Sequence, residues 1–445
     1  MSFLRPGDTC WRKARAARAA FLVDTEAYFT AVFEALRKAR RSVTLLGWGF
    51  DPRARLFPDG FDGPADPDEV GRILVALARA RPDLEIRLLI WKSALPIAAS
   101  QQFFPHKARA WFRGTGVQFV LDDHVPFGAC HHQKVLVIDD ALAFCGGGDI
   151  SVDRWDTAGH LEHDPRRIMP DQHHHAPRHE VMMMVDGEAA QALGDLARER
   201  WRRATGQVLP VPESVPPEDP WPAHIPAHLQ DIDISIQRTE PEWDGRPGVT
   251  EIRKLMIASV LEARSTVYLE NQYFTSPLIV EAIAKRLSEP DGPEVVLIST
   301  GQSPSWFDQL TMDRARSNML WRLRAADVFG RFRAWYPTTP AGTKIIVHSK
   351  VTVIDDSLAR IGSANINNRS GGFDTEVEIA VEAGTETQEL CIAALRDRLV
   401  GHFLGHTGDA VAKARKERGG LIPAIAALNR EGRLSPILPM KQTPL

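Results

Sequence analysis

Cysteine is scarce: Cys10, Cys130, Cys145 and Cys391 lie far apart in 445 residues. They form neither a disulfide framework nor a paired zinc-ligand motif, which points to a reducing compartment. Charge of one sign is also missing, since 54 Lys and Arg face 57 Asp and Glu for a net −3. Domains that coat nucleic acid are usually strongly basic, so any attraction for phosphate here must be local, and no nucleic-acid partner is expected. Nowhere do about 18 apolar residues follow one another, which argues against a transmembrane span. The residues after Met1 soon meet Arg12, Lys13, Arg15 and Arg18, without the apolar stretch of a secretory signal. The expectation is a cytoplasmic or peripheral-membrane protein whose oligomeric state the sequence leaves open, a monomer being compatible, with export by another route left open.

The remaining composition, 44% hydrophobic and 25% charged, is that of a folded globular chain. Its organisation is a repeat. A helical pattern from Glu26 to Arg40 leads into the apolar run Ser42–Trp48, and Thr250 to Arg264 leads into Ser265–Asn271 in the same way. Second helical patterns, Asp68 to Ala80 and Leu278 to Leu287, precede further apolar runs, Ile86–Trp91 and Val295–Ser299. Lys134–Asp140 then matches Lys350–Asp356, and His179–Val185 matches Thr375–Val381.

The offset between matching positions shrinks from 216 (348 − 132) to 196 (375 − 179), so the first half carries an insertion, roughly 151–177, rich in His, Asp and Pro. A proline-dense stretch, 206–228, reads as a linker. The expected organisation is a first half over 1–205, a second over 229–405, and a weakly patterned tail over 406–445. The expected fold is α/β: two similar sandwich halves, each a mixed β-sheet flanked by helices, packed as a pseudo-dimer with the active site between them.

Each half carries one His-x-Lys-x4-Asp motif: His132, Lys134 and Asp139, then His348, Lys350 and Asp355. A single match arises by accident in about 5% of chains of this length. Two copies at equivalent places in a repeat, each followed six residues on by a glycine-bearing turn, are far more specific. Strand periodicity places His and Lys of each motif on one face. Cleaving a phosphodiester takes a nucleophile, an acid for the leaving alkoxide and cations for the non-bridging oxygens. Two imidazoles and two ammonium groups supply these without a cofactor or metal. An attacking imidazole is normally oriented by a buried carboxylate, and the matched Glu180 and Glu376 are the candidates. The alternative is that both are surface charges on edge strands.

These motifs resemble the phospholipase D superfamily over nearly the whole chain, from about Arg12 to Phe403. Ala143–Ile150, followed by Arg154-Trp155-Asp156-Thr157, is similar to the first motif region of bacterial and eukaryote-like phospholipases D. Tyr268–Phe274 and Asn365–Ser370 resemble their second half. The resemblance implies a phospholipid substrate at a membrane surface and a covalent phosphohistidine, with His132 as nucleophile and His348 as acid. It implies that Lys134, Lys350, Asn365 and Ser363 hold the phosphate. Asp139 and Asp355, included among the catalytic candidates, are expected to act more as structural partners than as acids. Gly147 and Asp149 stand where the general superfamily pattern has serine and asparagine, and Asp149 is expected to turn away from phosphate or to be hydrogen-bonded.

Activities compatible with this site are hydrolysis, phosphatidyl transfer of the cardiolipin synthase type and, disfavoured by charge, nuclease action. A non-catalytic phospholipid-binding scaffold is weakened by the intact His and Lys pairs. His160, His163 and His173–His175 fall in the insertion and read as surface loop rather than metal ligands. Trp48, Trp155, Trp306, Trp335 and Phe307 are readable as core or as an interfacial lip.

Overall fold

The computed structural model describes residues 2–58, 68–93, 105–212, 219–303 and 309–440. Trp306 and Phe307 lie outside these. The first half runs β1 (Arg12–Val23), α1 (Thr25–Lys38), β2 (Ser42–Gly47), α2 (Val70–Ala80), β3 (Glu85–Trp91), α3 (Pro105–Trp111), β4 (Val117–Asp122), β5 (Val135–Ile138), β6 (Leu142–Gly146), β7 (Arg178–His179), β8 (Val181–Asp186) and α4 (Gly187–Thr205). The second repeats the order: β9 (Leu229–Glu240), β10 (Val249–Thr250), α5 (Glu251–Glu262), β11 (Thr266–Glu270), α6 (Pro277–Leu287), β12 (Glu294–Ile298), α7 (Arg314–Ala326), β13 (Phe332–Pro337), β14 (Ile346–Val347), β15 (Val351–Ile354), β16 (Leu358–Gly362), β17 (Glu376–Glu382) and α8 (Glu386–Leu404).

Within each half the sheet is mixed. β2, β3 and β4 are parallel neighbours, as are β11, β12 and β13, while the hairpins β5–β6 and β15–β16 join antiparallel. The two half-sheets are not separate: β1 and β9 pair antiparallel, Ala14 opposite Ile234, and make one continuous sheet. The sheet folds back on itself, so β6 packs against β16 and β17.

Strand alternation then builds layers. On β5, Val135 and Val137 enter a core shared by both halves, and Leu136 and Ile138 face the outer core under α1 and α2. On β15, Val351 and Val353 join the shared core, and Ile354 faces the outer core under α5 and α6. Helix α1 is held by the stripe Tyr28, Phe29, Val32, Phe33 and Leu36, all buried at helical spacing. The outer layers are therefore helix on sheet, and α4 and α8 contribute Trp201 and Phe403 to the shared core.

The tail is more ordered than its weak patterning suggests. α9 (Gly408–Arg418) and α10 (Leu421–Leu428) pack against α8, and β18 (Leu434–Pro436) pairs with β13. Capping accounts for part of this: the Thr407 hydroxyl accepts from Ala410 N, and Gly419, with φ 76°, ends α9 in the left-handed region. Residues 151–177 are irregular, yet Asp156, His160 and Arg167 within them are buried. No helix among the described residues is long and apolar enough to cross a membrane.

Candidate active site

Each His-x-Lys segment is laid against a strand of the opposite half. His132 N donates to Thr375 O at 2.9 Å, and His348 N donates to His179 O at 2.9 Å, next to the parallel pair β14–β7. Because Glu376 follows Thr375 and Glu180 follows His179, this pairing delivers each carboxylate to the other half's imidazole. His132 Nδ1 lies 2.9 Å from Glu376 Oε2, and His348 Nδ1 lies 2.5 Å from Glu180 Oε2. Both glutamate side chains are 1% exposed, which excludes the edge-strand alternative. A bond at Nδ1 leaves Nε2 of each ring for chemistry.

Burial raises both carboxyls above the usual range, Glu376 to about 7. Both imidazoles are held well below their ordinary value, first by burial and then by ammonium charge. Lys134 and Lys350 each act on both histidines, so the two motifs share one electrostatic site.

The lysines differ. Lys134 Nζ bonds His132 O at 3.1 Å and pairs at 3.3 Å with Asp149 Oδ2, both side chains 2% exposed. Asp149 Oδ1 accepts from Trp48 N at 3.0 Å and Gly49 N at 3.1 Å, so its carboxylate is hydrogen-bonded as anticipated. Lys350 Nζ donates to the His348 carbonyl within its own motif and lies 3.2 Å from Nδ1. Burial lowers the Lys350 ammonium to about 7.

Asn365, the counterpart of Asp149, holds a buried side-chain oxygen with no hydrogen-bond partner, and its N–H donates to Ser370 Oγ at 3.1 Å. Ser363, expected on the phosphate, instead donates to Glu376 Oε2 at 2.5 Å, so its contact is with the carboxylate that orients His132. Its counterpart Gly147 leaves no space for a side chain, because a Cβ there would collide with Glu180 Oε1.

The chain matches the family described as "Cardiolipin synthase, PLD-like domain" over residues 256–392. It is 23% identical to phospholipase D2 of Bos taurus over 82% of this chain and 49% of that one. It is also 23% identical to a cardiolipin synthase of Geobacillus thermodenitrificans, over 86% of this chain and 66% of the other. A solved structure titled phosphatidylserine synthase, from Haemophilus influenzae Rd KW20, shares the fold with a TM-score of 0.60 at 12% identity, covering 93% of this chain and 96% of that one. Residues 256–392 thus match a PLD-like domain, and the similarity to proteins named phospholipase D extends over about four-fifths of the chain. The chain spans about a quarter to a half of the length of the first curated relatives, which are named phospholipases D.

The motif aspartates stand apart from the imidazoles. Asp139 closes the far end of β5, about 16 Å along an extended chain from Lys134. It accepts from the N–H groups of Arg40, Arg41 and Ser42 at 2.6–2.7 Å. Asp355 does the same for Arg264, Ser265 and Thr266 at 2.8–3.0 Å. Both adopt positive φ, 55° and 53°, which Asp tolerates because its side chain bonds locally. Their inclusion as catalytic residues is corrected: they clamp the turn between the first helix and first inner strand of each half, out of reach of a phosphate.

Two cations escaped sequence reasoning. Arg154 and Arg178 are buried, share Asp153 Oδ2 at 3.3 and 3.4 Å, and press on the Glu180–His348 pair. Arg154 had a signal in the Arg154–Thr157 text; Arg178 had only its adjacency to His179-Glu180. A second correction concerns His160. It is buried rather than on a surface loop, and it meets His179 and His402, whereas His163, His173 and His174 are exposed.

Proposed function

We propose that this chain is a member of the phospholipase D superfamily and a phospholipase D, cleaving the head-group phosphodiester of glycerophospholipids to phosphatidic acid and an alcohol. The crossed His–Glu pairs carry the reading: they set two oriented imidazoles and two buried ammonium groups in one site. His132 Nε2 attacks phosphorus, and its Nδ1–H, held by Glu376, lets the ring accept positive charge. His348, protonated as the anionic substrate enters, gives its Nε2 proton to the departing alkoxide. Lys134, Lys350 and Asn365 hold the non-bridging oxygens. His348, now neutral, takes a proton from water, whose oxygen displaces His132 and releases phosphatidic acid; an alcohol in place of water gives transphosphatidylation.

A lipid surface suits the mouth of the site. Phe127 is fully exposed five residues before His132. Its loop is tied to that of Phe373 by Arg369 Nη2 donating to Gly128 O at 2.8 Å, with Asp374 accepting from Cys130 N at 2.9 Å. Incubation with vesicles of phosphatidylcholine or phosphatidylethanolamine should release head group and phosphatidic acid, and labelled lipid should trap a phosphohistidine at His132. Absence of release from every glycerophospholipid sinks the reading.

A phosphatidyl transferase of the cardiolipin synthase type uses the same residues. The family description over residues 256–392 and the Geobacillus relative favour it. Product analysis with and without glycerol or phosphatidylglycerol separates the two, since a phospholipase D releases phosphatidic acid in water alone, whereas a transferase turns over only with the acceptor and yields a new diester.

A further inference from the structure

Away from the two phosphate-facing imidazoles, Asp24, His160, His179 and His402 converge from four places in the chain: the end of β1, the inserted loop, β7 and α8 of the second half. One potential ligand atom from each lies within 4.8 Å of all the others. His160 Nε2 is 2.9 Å from His402 Nε2, His402 Nε2 is 3.4 Å from Asp24 Oδ2, and His179 Nδ1 is 2.8 Å from Asp24 Oδ1. Asp24 and His179 are wholly buried, and Asp24 Oδ2 has no hydrogen-bond partner. A buried carboxylate oxygen left bare beside imidazole nitrogens is costly unless a cation meets it.

The outer contacts point the same way. His160 turns its far nitrogen, Nδ1, to Asp156 Oδ2 at 2.8 Å, and His179 turns Nε2 to Glu270 Oε2 at 3.0 Å. Both carboxylates are themselves held: Asp156 by the Arg178 N–H at 2.8 Å, Glu270 by the hydroxyls of Tyr268 at 2.6 Å and Ser349 at 2.7 Å. A carboxylate behind a histidine is the arrangement that fixes ring orientation in protein metal centres. Three nitrogens and one oxygen suit a borderline ion such as Zn2+, whereas Ca2+ and Mg2+ take oxygen donors.

We propose that Asp24, His160, His179 and His402 bind one zinc-class divalent ion in a closed, four-coordinate structural site. Its role is positioning. His179 precedes Glu180, Asp24 N donates to Glu180 O at 2.8 Å, and Ser349, bonded to Glu270, sits between His348 and Lys350. The ion thus ties the inserted loop and the second half's α8 to the carboxylate that orients His348.

The test uses the full chain freed of any polyhistidine tag. Elemental analysis should find about one zinc-class ion per chain. After extraction by a chelator, added Co2+ should develop the visible bands of a tetrahedral site, saturating at one equivalent, with the melting temperature rising in step. Mg2+ and Ca2+ should do neither. His160→Ala and His402→Ala should each abolish the cobalt bands, and the wild-type titration stands should either variant misfold. A metal-free chain with no cobalt bands and no thermal response to Zn2+ or Co2+ overturns the proposal. So does stoichiometric Ca2+ in its place, or cobalt binding that survives both substitutions, which would locate the metal on the exposed His173 and His174.

Discussion

Asp149 in the first half and Asn365 in the second occupy equivalent positions, yet only the first carries charge, and the two lysines live differently as a result. Lys134 is compensated by a carboxylate held in place by two backbone N–H groups. Lys350, in a half whose equivalent position is the uncharged Asn365, donates to the His348 carbonyl and has the first half's Glu180 as its main opposite charge. The two ammonium groups are therefore countered by different carboxylates, Lys134 by Asp149 of its own half and Lys350 by Glu180 of the other. The carboxylate pockets are unequal as well: Ser363 gives Glu376 a hydroxyl, where Gly147 gives Glu180 none. Near-identical frames thus present different halves of one reaction.

Removing either imidazole should have the largest effect, about 10⁴-fold in kcat, but the two losses should differ in kind. His348→Ala should recover turnover on a p-nitrophenyl phosphodiester, whose leaving group departs without an acid, and His132→Ala should not. The opposite pattern reverses the assigned roles. The crossed pairing makes the next prediction: Glu180→Gln should behave like the His348 variant and be rescued by the better leaving group, whereas Glu376→Gln should not, each losing about 10²- to 10³-fold on lipid. Rescue of Glu376→Gln alone would mean that the carboxylates do not serve the imidazoles they touch.

Asn365→Asp tests the charge asymmetry by giving the second half the carboxylate that the first half carries at the equivalent position, and kcat/KM should fall about 10²-fold; an unchanged value shows that phosphate sits elsewhere. The pH profile follows from Lys350. Its ammonium, lowered to about 7 by burial, is charged below that value and lost as pH rises through it, so kcat/KM of the free enzyme should decline above about 7. Lys350→Arg, though slower, should move that limb upward because guanidinium stays charged. The smallest effects concern stability. Asp139 is buried and Asp355 partly exposed, so Asp139→Ala should cost about 3 kcal/mol in denaturant unfolding and Asp355→Ala about 1 kcal/mol.

The legible part of the site was what repeats along the chain. His132, Lys134, His348 and Lys350 stood out because two motifs recur at one offset, and Glu180 and Glu376 because a carboxylate in an apolar strand demands a partner. Asp139 and Asp355 were legible as structural partners rather than acids, but not which groups they hold, because their contacts are with backbone N–H groups that no pattern displays. His160 was misread because an irregular, polar insertion looks solvated until the helix that covers it is in place. The tail's helices escaped notice because Leu421, Ile422 and Ile425 are apolar in too short a run to mark a face.

By itself the sequence determined the duplicated order of helices and strands, the two His-x-Lys pairs and their unequal neighbours, because periodicity and side-chain chemistry act over a few residues. Only the tertiary structure decided which glutamate orients which histidine, that one sheet runs through both halves, and that Asp24, His160, His179 and His402 meet. Each of those depends on strands and loops more than a hundred residues apart being brought to hydrogen-bonding distance, and the pairing of β1 with β9 and of β7 with β14 does this.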